Sequence, residues 1–463
     1  MSPSLVAIVM AAGKGTRMKS DLPKVLHEVA GEPLLGHVLL TLRQLETDAI
    51  YVIVGHGAEQ VRAFLPENVT PVEQLEQLGT GHAVDQVTPF LDQYTGDVLI
   101  LSGDVPLLTA ETLRGMKQEH EAERAVLTML STTLNEPTGY GRIVRDETGR
   151  VTGVVEQKDA TPAQKAITEC NLGTYLASWP HLRDTLAKLT PNNAQGEYYL
   201  TDAIAHLVHG GHGVVSHCTS DALEGEGVNT RAQLAKLQGI YQQRTAEFWM
   251  AAGVTIVNPH STIIGPKVSL GVDTILEPGT ILLGETKVGE RCVIGAYSQL
   301  RDVTCDDDVH ILHSYLSQAT VGRGSHVGPY AHLRQGAQLG KKVRLGNFVE
   351  VKKSVLKDGA KAAHLAYLGD AEVGCNVNIG CGVITVNYDG KKKSPTVIRD
   401  NAFVGSNSNL IAPVTIGEAG FVAAGSTITQ DVPAGALAIG RGRQVTKEGW
   451  VAQREENALA SSP

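Results

Sequence analysis

Six cysteines in 463 residues, at Cys170, Cys218, Cys292, Cys305, Cys375 and Cys381, are too few and too scattered for a disulfide scaffold, and no CxxC pair offers a zinc site. Reduced thiols in a cytosolic setting fit that usage. Aromatic residues make up only 5%, and proline, at 19 residues, is not enriched. With no G-X-Y period either, collagen is excluded. No run approaches the roughly 18 apolar residues of a membrane span, and MSPSLVAIVMAAGKG has no basic leader before its short apolar stretch. Nothing here marks export. Positive charge is in deficit: 40 Lys and Arg against 49 Asp and Glu give a net charge of -9. That leaves no broad basic field for nucleic acid or an anionic membrane, although a local anion site remains compatible with it.

Glycine is what the chain has in excess, with 50 residues against a usual share of about 7%. Apolar residues at 42% and charged residues at 19% allow a buried core, and the length predicts two or three domains. The first half contains three continuous apolar runs that end in polar loops: LVAIVM from Leu5 to Met10, AIYVIVG from Ala49 to Gly55 and DVLILSGD from Asp97 to Asp104. Such runs predict buried parallel strands, and segments such as LLGHVLLTLRQLE are long enough for the crossover helices between them. Ligands of α/β sheets bind beyond the carboxyl ends of the strands, where Gly13 to Arg17 and Asp104 both fall.

The second half repeats with a period of six. Aliphatic residues recur at Ile264, Leu270, Leu276, Leu282, Val288 and Ile294, at Val321, Val327, Leu333, Leu339, Leu345 and Val351, and at Ile398, Val404, Leu410, Ile416, Val422 and Ile428. With glycines running alongside, this predicts a hexapeptide parallel β-helix; sandwich strands would alternate with period two. The register breaks at about 296–320, 352–372 and 385–397, where the pattern predicts extruded loops able to carry binding groups. Residues 230–253 predict a linking helix, and 454–463 a flexible tail.

AAGKGTR, from Ala11 to Arg17, is neither a Walker A motif nor a GxGxxG fingerprint. Its backbone amides could face oxyanions, with Arg17 and Lys24 neutralising a polyphosphate; the same residues also read as a turn with a solvated basic face. Asp104 has no packing role at the end of its strand and suits a hard cation. Asp21, Glu156, Asn171, Asp221 and Asn229 are all candidates for a second ligand. On the solenoid, Arg334, Lys352, His364, Tyr367, Asn378, Asn387 and Tyr388 gather around a phase break, although a lone histidine is also compatible with a structural role.

AAGKGTRM followed by SDLPK, EQLGTGHA, GDVPL, PTGYGRI, VEQKDAT, NNAQGEYYLTD and GEGVN, in that order, resembles the bacterial family that is both N-acetylglucosamine-1-phosphate uridyltransferase and glucosamine-1-phosphate N-acetyltransferase. The resemblance covers about residues 5–453. It implies an α/β nucleotidyltransferase domain with a Rossmann-like mixed sheet (1–229), a linker helix (230–253) and a left-handed parallel β-helix of hexapeptide repeats (254–453). It also implies a cytoplasmic homotrimer with acetyl-transfer sites between subunits, making UDP-N-acetylglucosamine for cell-wall and lipopolysaccharide synthesis.

By the same resemblance Ala11, Ala12, Gly13, Arg17 and Lys24 match the nucleotide loop, and Gln74, Gln77, Gly79 and Thr80 match the uracil side. Gly141, Glu156, Asn171 and Asn229 match the sugar seat, while Asp104 and Asn229 match the Mg²⁺ pair. Arg334, Lys352, Tyr367, Asn378 and Lys393 match the glucosamine 1-phosphate site, and His364 the base, with Glu350 as its orienter. Cys381, Asn387, Tyr388, Ser406, Ala424 and Arg441 match the acetyl-CoA contacts. Met10, Ser102, Gln335 and Cys381 depart from the usual residues. Two rivals stand beside this reading: a monofunctional nucleotidyltransferase with a regulatory solenoid, and a binding protein whose solenoid only oligomerises it.

Overall fold

Strand Leu5–Met10 runs through the middle of its sheet, with Ala49–Val54 on one side and Asp97–Ser102 on the other, both parallel to it. Its residues alternate between two cores: Val6 and Ile8 pack with Trp179 and Ile204, and Ala7 and Val9 with Leu35 and Met116. Burial on both faces is why the strand reads as an unbroken apolar run. The computed structural model describes residues 5–460 and forms two compact units, Met1–Arg244 and Thr245–Pro463.

Across the sheet of the first unit the order is Val214–Cys218, Leu127–Thr133, Glu169–Ser178, Asp97–Ser102, Leu5–Met10, Ala49–Val54, Val69–Glu73. Glu169–Ser178 runs antiparallel to both its neighbours, so the sheet is mixed. A ribbon of Gly141–Arg145 and Val151–Val155 branches from it. Met10 pairs with Ser102 at the ends of their strands, so the loops that follow leave the sheet side by side. The Gly103 amide donates to the Met10 carbonyl at 2.9 Å, and a Cβ on Gly103 would stand 3.2 Å from that oxygen. The closeness of the glycine loop to Asp104 depends on that gap.

Helix Arg231–Ala251 covers the region expected to be helical. In the second unit, strands mostly two or three residues long, with Arg344–Lys352 and Lys361–Gly369 longer, stack in three parallel columns, each strand bonded to the one a full turn further on. One column passes through Ile275, Val293, His310, His326, Arg344, Lys361 and Asn378; the next through Ile281, Gln299, Tyr315, His332, Glu350 and Tyr367; the third through Ser269, Lys287, Thr304 and Thr320. Each strand sends an aliphatic residue inward, and Leu276, Leu282, Ile294, Leu300 and Leu333 are wholly buried in one continuous core. Inward hydroxyls such as those of Thr280 and Ser325 donate to backbone, to the Glu277 and Gly340 carbonyls respectively.

Two of the three expected extrusions are absent. Through 296–320 and 352–372 the strands continue, and the inward position advances by five residues instead of six, as from Leu300 to Cys305, Ile311 to Leu316, Val351 to Leu356 and Leu368 to Val373. A corner one residue shorter breaks the sequence register without opening the stack. GAKAAHLAYLGDAEVG is accordingly wall, not loop: strand Lys361–Gly369 pairs along Arg344–Lys352 and carries His364 and Tyr367. The third break is a loop between Val386 and Thr396, pinned by the bridge from Tyr388 to Lys393. Residues 454–460 of the expected tail continue helix Trp450–Ala460, in which the Arg454 guanidinium lies 5.3 Å from the Trp450 ring centre. Alanine, glutamine, glutamate and arginine favour that conformation; residues 461–463 lie outside the described residues.

Candidate functional site

A cavity of about 530 Å³ opens at the carboxyl ends of the central strands, lined by Ala12, Gly13, Lys14, Lys24, Gln74, Gln77, Gly79, Thr80 and Asp104. Those residues come from four stretches of chain, and all but Lys14 were expected there. Met10 and Ser102, two of the departures, also line it, as does Glu197. Arg17 does not; it is exposed on the single-turn helix Thr16–Met18. Ala11 lies beneath the loop, buried, its amide bonded to the Ile53 carbonyl at 2.9 Å. A smaller cavity of about 330 Å³, lined by Leu5, Leu45, Leu99 and Leu113, contains none of the expected site residues.

Lys24, Asp104 and Asn229 converge. The ammonium donates to Asp104 Oδ2 at 2.5 Å and to Asn229 Oδ1 at 3.3 Å. Asn229 is held at the start of helix Arg231–Ala251: Thr230 Oγ1 accepts from the Gln233 amide at 3.2 Å, and Gln233 Oε1 accepts from the Asn229 amide at 2.9 Å. The first of these bonds is half of a capping box, and TRAQ is its sequence signature, the signal that would have singled out Gln233. Asp104 and Asn229 thus turn two hard oxygens toward one cation. No group of three His, Cys, Asp or Glu gathers among the described residues. A two-oxygen set suits Mg²⁺, which completes its shell from phosphates and water.

The sugar-side residues form a second group. Gly141 pairs with Asn171 across adjacent strands, and a Cβ on Gly141 would stand 3.5 Å from the Glu156 carboxylate. Thr201 donates to Glu156 Oε1 at 3.2 Å. Burial holds the Glu156 carboxyl above its ordinary range, against that hydrogen bond. Asn171 donates through Nδ2 to the Tyr175 hydroxyl at 2.6 Å and accepts from the Gly173 amide at 3.1 Å. A bulge between Asn171 and Tyr175 makes this arrangement possible. Tyr175 and Thr201 were not foreseen, because their role is to touch residues that are themselves remote in the chain.

On the solenoid, His364 stands opposite Asn347, with Nδ1 3.1 Å from Asn347 Oδ1. Glu350, the expected orienter, accepts instead from Arg334 at 2.7 Å and pairs with Tyr367. Below His364 the same corner continues turn by turn. The Gly382 amide bonds to the Leu365 carbonyl, Asn407 to the Cys381 carbonyl, Gly425 to the Ser406 carbonyl, and the Arg441 guanidinium to the Ala424 carbonyl at 2.9 Å. Five of the expected residues therefore share one column.

Arg334, Lys352 and Lys393 gather at the far edge of the neighbouring face, where Lys393 first and Arg334 next push the Lys352 ammonium below its ordinary range. A cluster of like charges of this kind is poised for an anion. Tyr367 and Asn387 meet over Gly369, which has no side chain to separate them. Asn387 also donates to Asp370 at 2.5 Å. Tyr388, expected beside Asn387, donates to the Gly390 carbonyl at 2.7 Å. Asn378 is not brought to this cluster; it lies in the preceding column, paired with Lys361, across the corner from Tyr367.

The first 166 residues carry a match, over residues 7–166, to the model of the MobA-like NTP transferase domain. The bifunctional protein GlmU of Alkaliphilus metalliredigens is 49% identical over 450 residues, spanning 97% of this chain and 98% of that protein. The bifunctional protein GlmU of an Exiguobacterium species is 51% identical over 444 residues, spanning 96% and 98%. That of Shouchella clausii is 48% identical over 445 residues, with the same coverage of 96% and 98%.

Proposed function

Because the chain belongs to the family of bifunctional GlmU proteins, we propose that its two units divide two reactions between the cavity at Lys24 and the corner at His364. The enzyme transfers acetyl from acetyl-CoA to glucosamine 1-phosphate, then uridylyl from UTP to N-acetylglucosamine 1-phosphate. The product is UDP-N-acetylglucosamine, and pyrophosphate is released.

In the cavity, a sugar phosphate oxygen attacks the α-phosphorus of UTP in line. That oxygen is already ionised near neutral pH, so no general base is required. The backbone of the Ala12–Gly13 stretch meets the phosphates, with Ala11 supporting it from beneath; Lys24 and Lys14 balance the charge that develops on them, and Arg17 adds charge from outside the cavity. Gln74, Gln77, Gly79 and Thr80 take the uracil; Gly141, Glu156, Asn171 and Asn229 seat the sugar. Mg²⁺ held by Asp104 and Asn229 would supply Lewis-acid neutralisation of phosphoryl charge.

On the solenoid face beside that corner, Arg334, Lys352 and Lys393 hold the phosphate of glucosamine 1-phosphate, with Tyr367 on the sugar and Asn378 supplied by a neighbouring copy. His364 takes a proton from the amine through Nε2 while the nitrogen bonds to the thioester carbon. The carbon–sulfur bond then breaks, and CoA leaves as its thiolate, which takes up the proton that His364 removed from the amine. Acetyl-CoA lies along the column of Cys381, Ser406, Ala424 and Arg441, with Asn387 and Tyr388 beside it.

In this reading the solenoid is left-handed and the protein a trimer, and assembly is supported by the corner above His364. Tyr297, His313, Tyr330 and Phe348 follow one another in left-handed backbone conformations, with ring centres 6.0, 5.9 and 5.6 Å apart. Tyr297, Tyr330 and Phe348 are exposed in the single chain. Bulky residues at positive φ cost strain, and a second copy covering the ladder would offset it. Asn378, across the corner from Arg334 and Lys352, would then complete a neighbour's site. No helix among the described residues is long and apolar enough to cross a membrane, and a cytoplasmic location fits the substrates.

The observation that carries the division is that Lys24, Asp104 and Asn229 stand on one unit and the His364 column on the other. Asp104→Ala should abolish uridylyl transfer and keep acetyl transfer, and His364→Ala the reverse, with products followed by mass. Loss of both activities in either folded single variant would sink the proposal.

A further inference from the structure

The two oxygens assigned to the divalent ion are already occupied by a charge from the chain. Lys24 and Asp104 keep only 16% and 14% of their side-chain exposure, so the ion pair is largely withdrawn from water. The same ammonium also reaches Asn229 Oδ1 at 3.3 Å. Asp104 is thus neutralised through Oδ2 by a tethered partner, with which an incoming ion competes. The position of the lysine is built in: Gly15 lies beneath it at φ +57°, and a Cβ there would approach Lys24 Cβ to 2.7 Å. Only glycine leaves the lysine stem that course.

We propose that Lys24 is an internal stand-in for the divalent ion, closing the metal site in the nucleotide-free protein and vacating it when a triphosphate draws the ammonium onto its own oxygens. The inference rests on the reading of Asp104 and Asn229 as the metal pair. Lysine suits the exchange because its charge is compact and its stem flexible, so it can pass from carboxylate to phosphate without a fixed planar geometry. Charge balances at each stage: the ammonium moves from one anion to another, and the divalent ion replaces it on the carboxylate. Metal and nucleotide therefore bind with positive coupling. Part of that coupling arises from the lysine and not from direct ligation by phosphate.

The test is Mn²⁺ binding to the full-length protein, followed by electron paramagnetic resonance of the free ion, with and without UTP and with no sugar phosphate present. Without nucleotide, Lys24→Met and Lys24→Gln should bind Mn²⁺ about tenfold tighter than the unaltered protein. The gain in Mn²⁺ affinity on adding UTP should shrink in both. Two replacements guard against a folding defect in one, with circular dichroism as the check. Mn²⁺ binding that is unchanged or weaker in the folded lysine variants overturns the stand-in role alone. Asp104→Asn that still binds Mn²⁺ normally with UTP present overturns the metal-pair reading and the proposal with it.

Discussion

Across one turn of the solenoid, the Nδ1 of His364 lies 3.1 Å from the Oδ1 of Asn347. An amide oxygen only accepts, so in this pair Nδ1 carries the proton and Nε2 keeps the lone pair that a base requires. Asn347→Ala should lower kcat for acetyl transfer about tenfold while uridylyl transfer is unchanged. Asn347→Asp should restore much of the rate and move the acid limb of the pH–rate profile upward, because a carboxylate favours the imidazolium. A profile identical in all three proteins would remove Asn347 from the mechanism.

Tyr175 offers the second test. Its hydroxyl accepts from Asn171 deep in the fold, and Tyr175→Phe removes that acceptor while keeping the ring. The KM for N-acetylglucosamine 1-phosphate should rise several-fold, roughly the worth of one buried hydrogen bond of about 1 kcal/mol. The KM for UTP should stay as it was. Equal rises in both would point to general disturbance of the sheet.

Glu156 gives a pH dependence with a definite sign. Burial raises its folded pKa above the ordinary carboxylate range, so as pH rises through that range the unfolded chain releases its proton first. Stability should fall with rising pH until the folded carboxyl also ionises. Melting curves between pH 4 and 7 should show that fall, and Glu156→Gln should reduce it. A slope equal to that of the unaltered protein would contradict the assignment.

The aromatic corner predicts assembly. Tyr330 and Phe348 stack with ring centres 5.6 Å apart and planes 10° from parallel, both exposed in one chain. Replacing both by aspartate should turn a trimer into a monomer by light scattering and cost acetyl transfer, leaving uridylyl transfer intact. A trimer of undiminished stability would place the interface elsewhere.

Leu368 tests the stacked core. It is wholly buried on the turn that carries His364 and Tyr367, and Leu368→Ala should destabilise the second unit by about 2–5 kcal/mol in urea. The transition to follow is that of the solenoid, with the first unit's transition as the internal control.

Periodicity carried the solenoid, because a stacked core asks the same thing of every strand and a single chain displays it as aliphatic residues six apart. The glycine loop and Asp104 were legible for a related reason: an apolar run that stops at a polar loop marks the end of a buried strand, where ligands bind. The shorter corners were not. A step of five looks like an interruption in one dimension, and only the pairing of Lys361–Gly369 along Arg344–Lys352 reveals a continuous wall.

Residue types and local patterns were therefore determined by the sequence itself: which positions turn inward, which loops leave strand ends, which side chains carry charge. Tertiary structure decided the pairings. Lys24 meets Asp104 80 positions away and Asn229 205 away; Asn347, not Glu350, faces His364; Asn378 stands across a corner from the cluster it was expected to join. Hydrogen bonds and ion pairs act over a few ångströms, and the register of strands and the placing of helix ends decide which distant residues come that close.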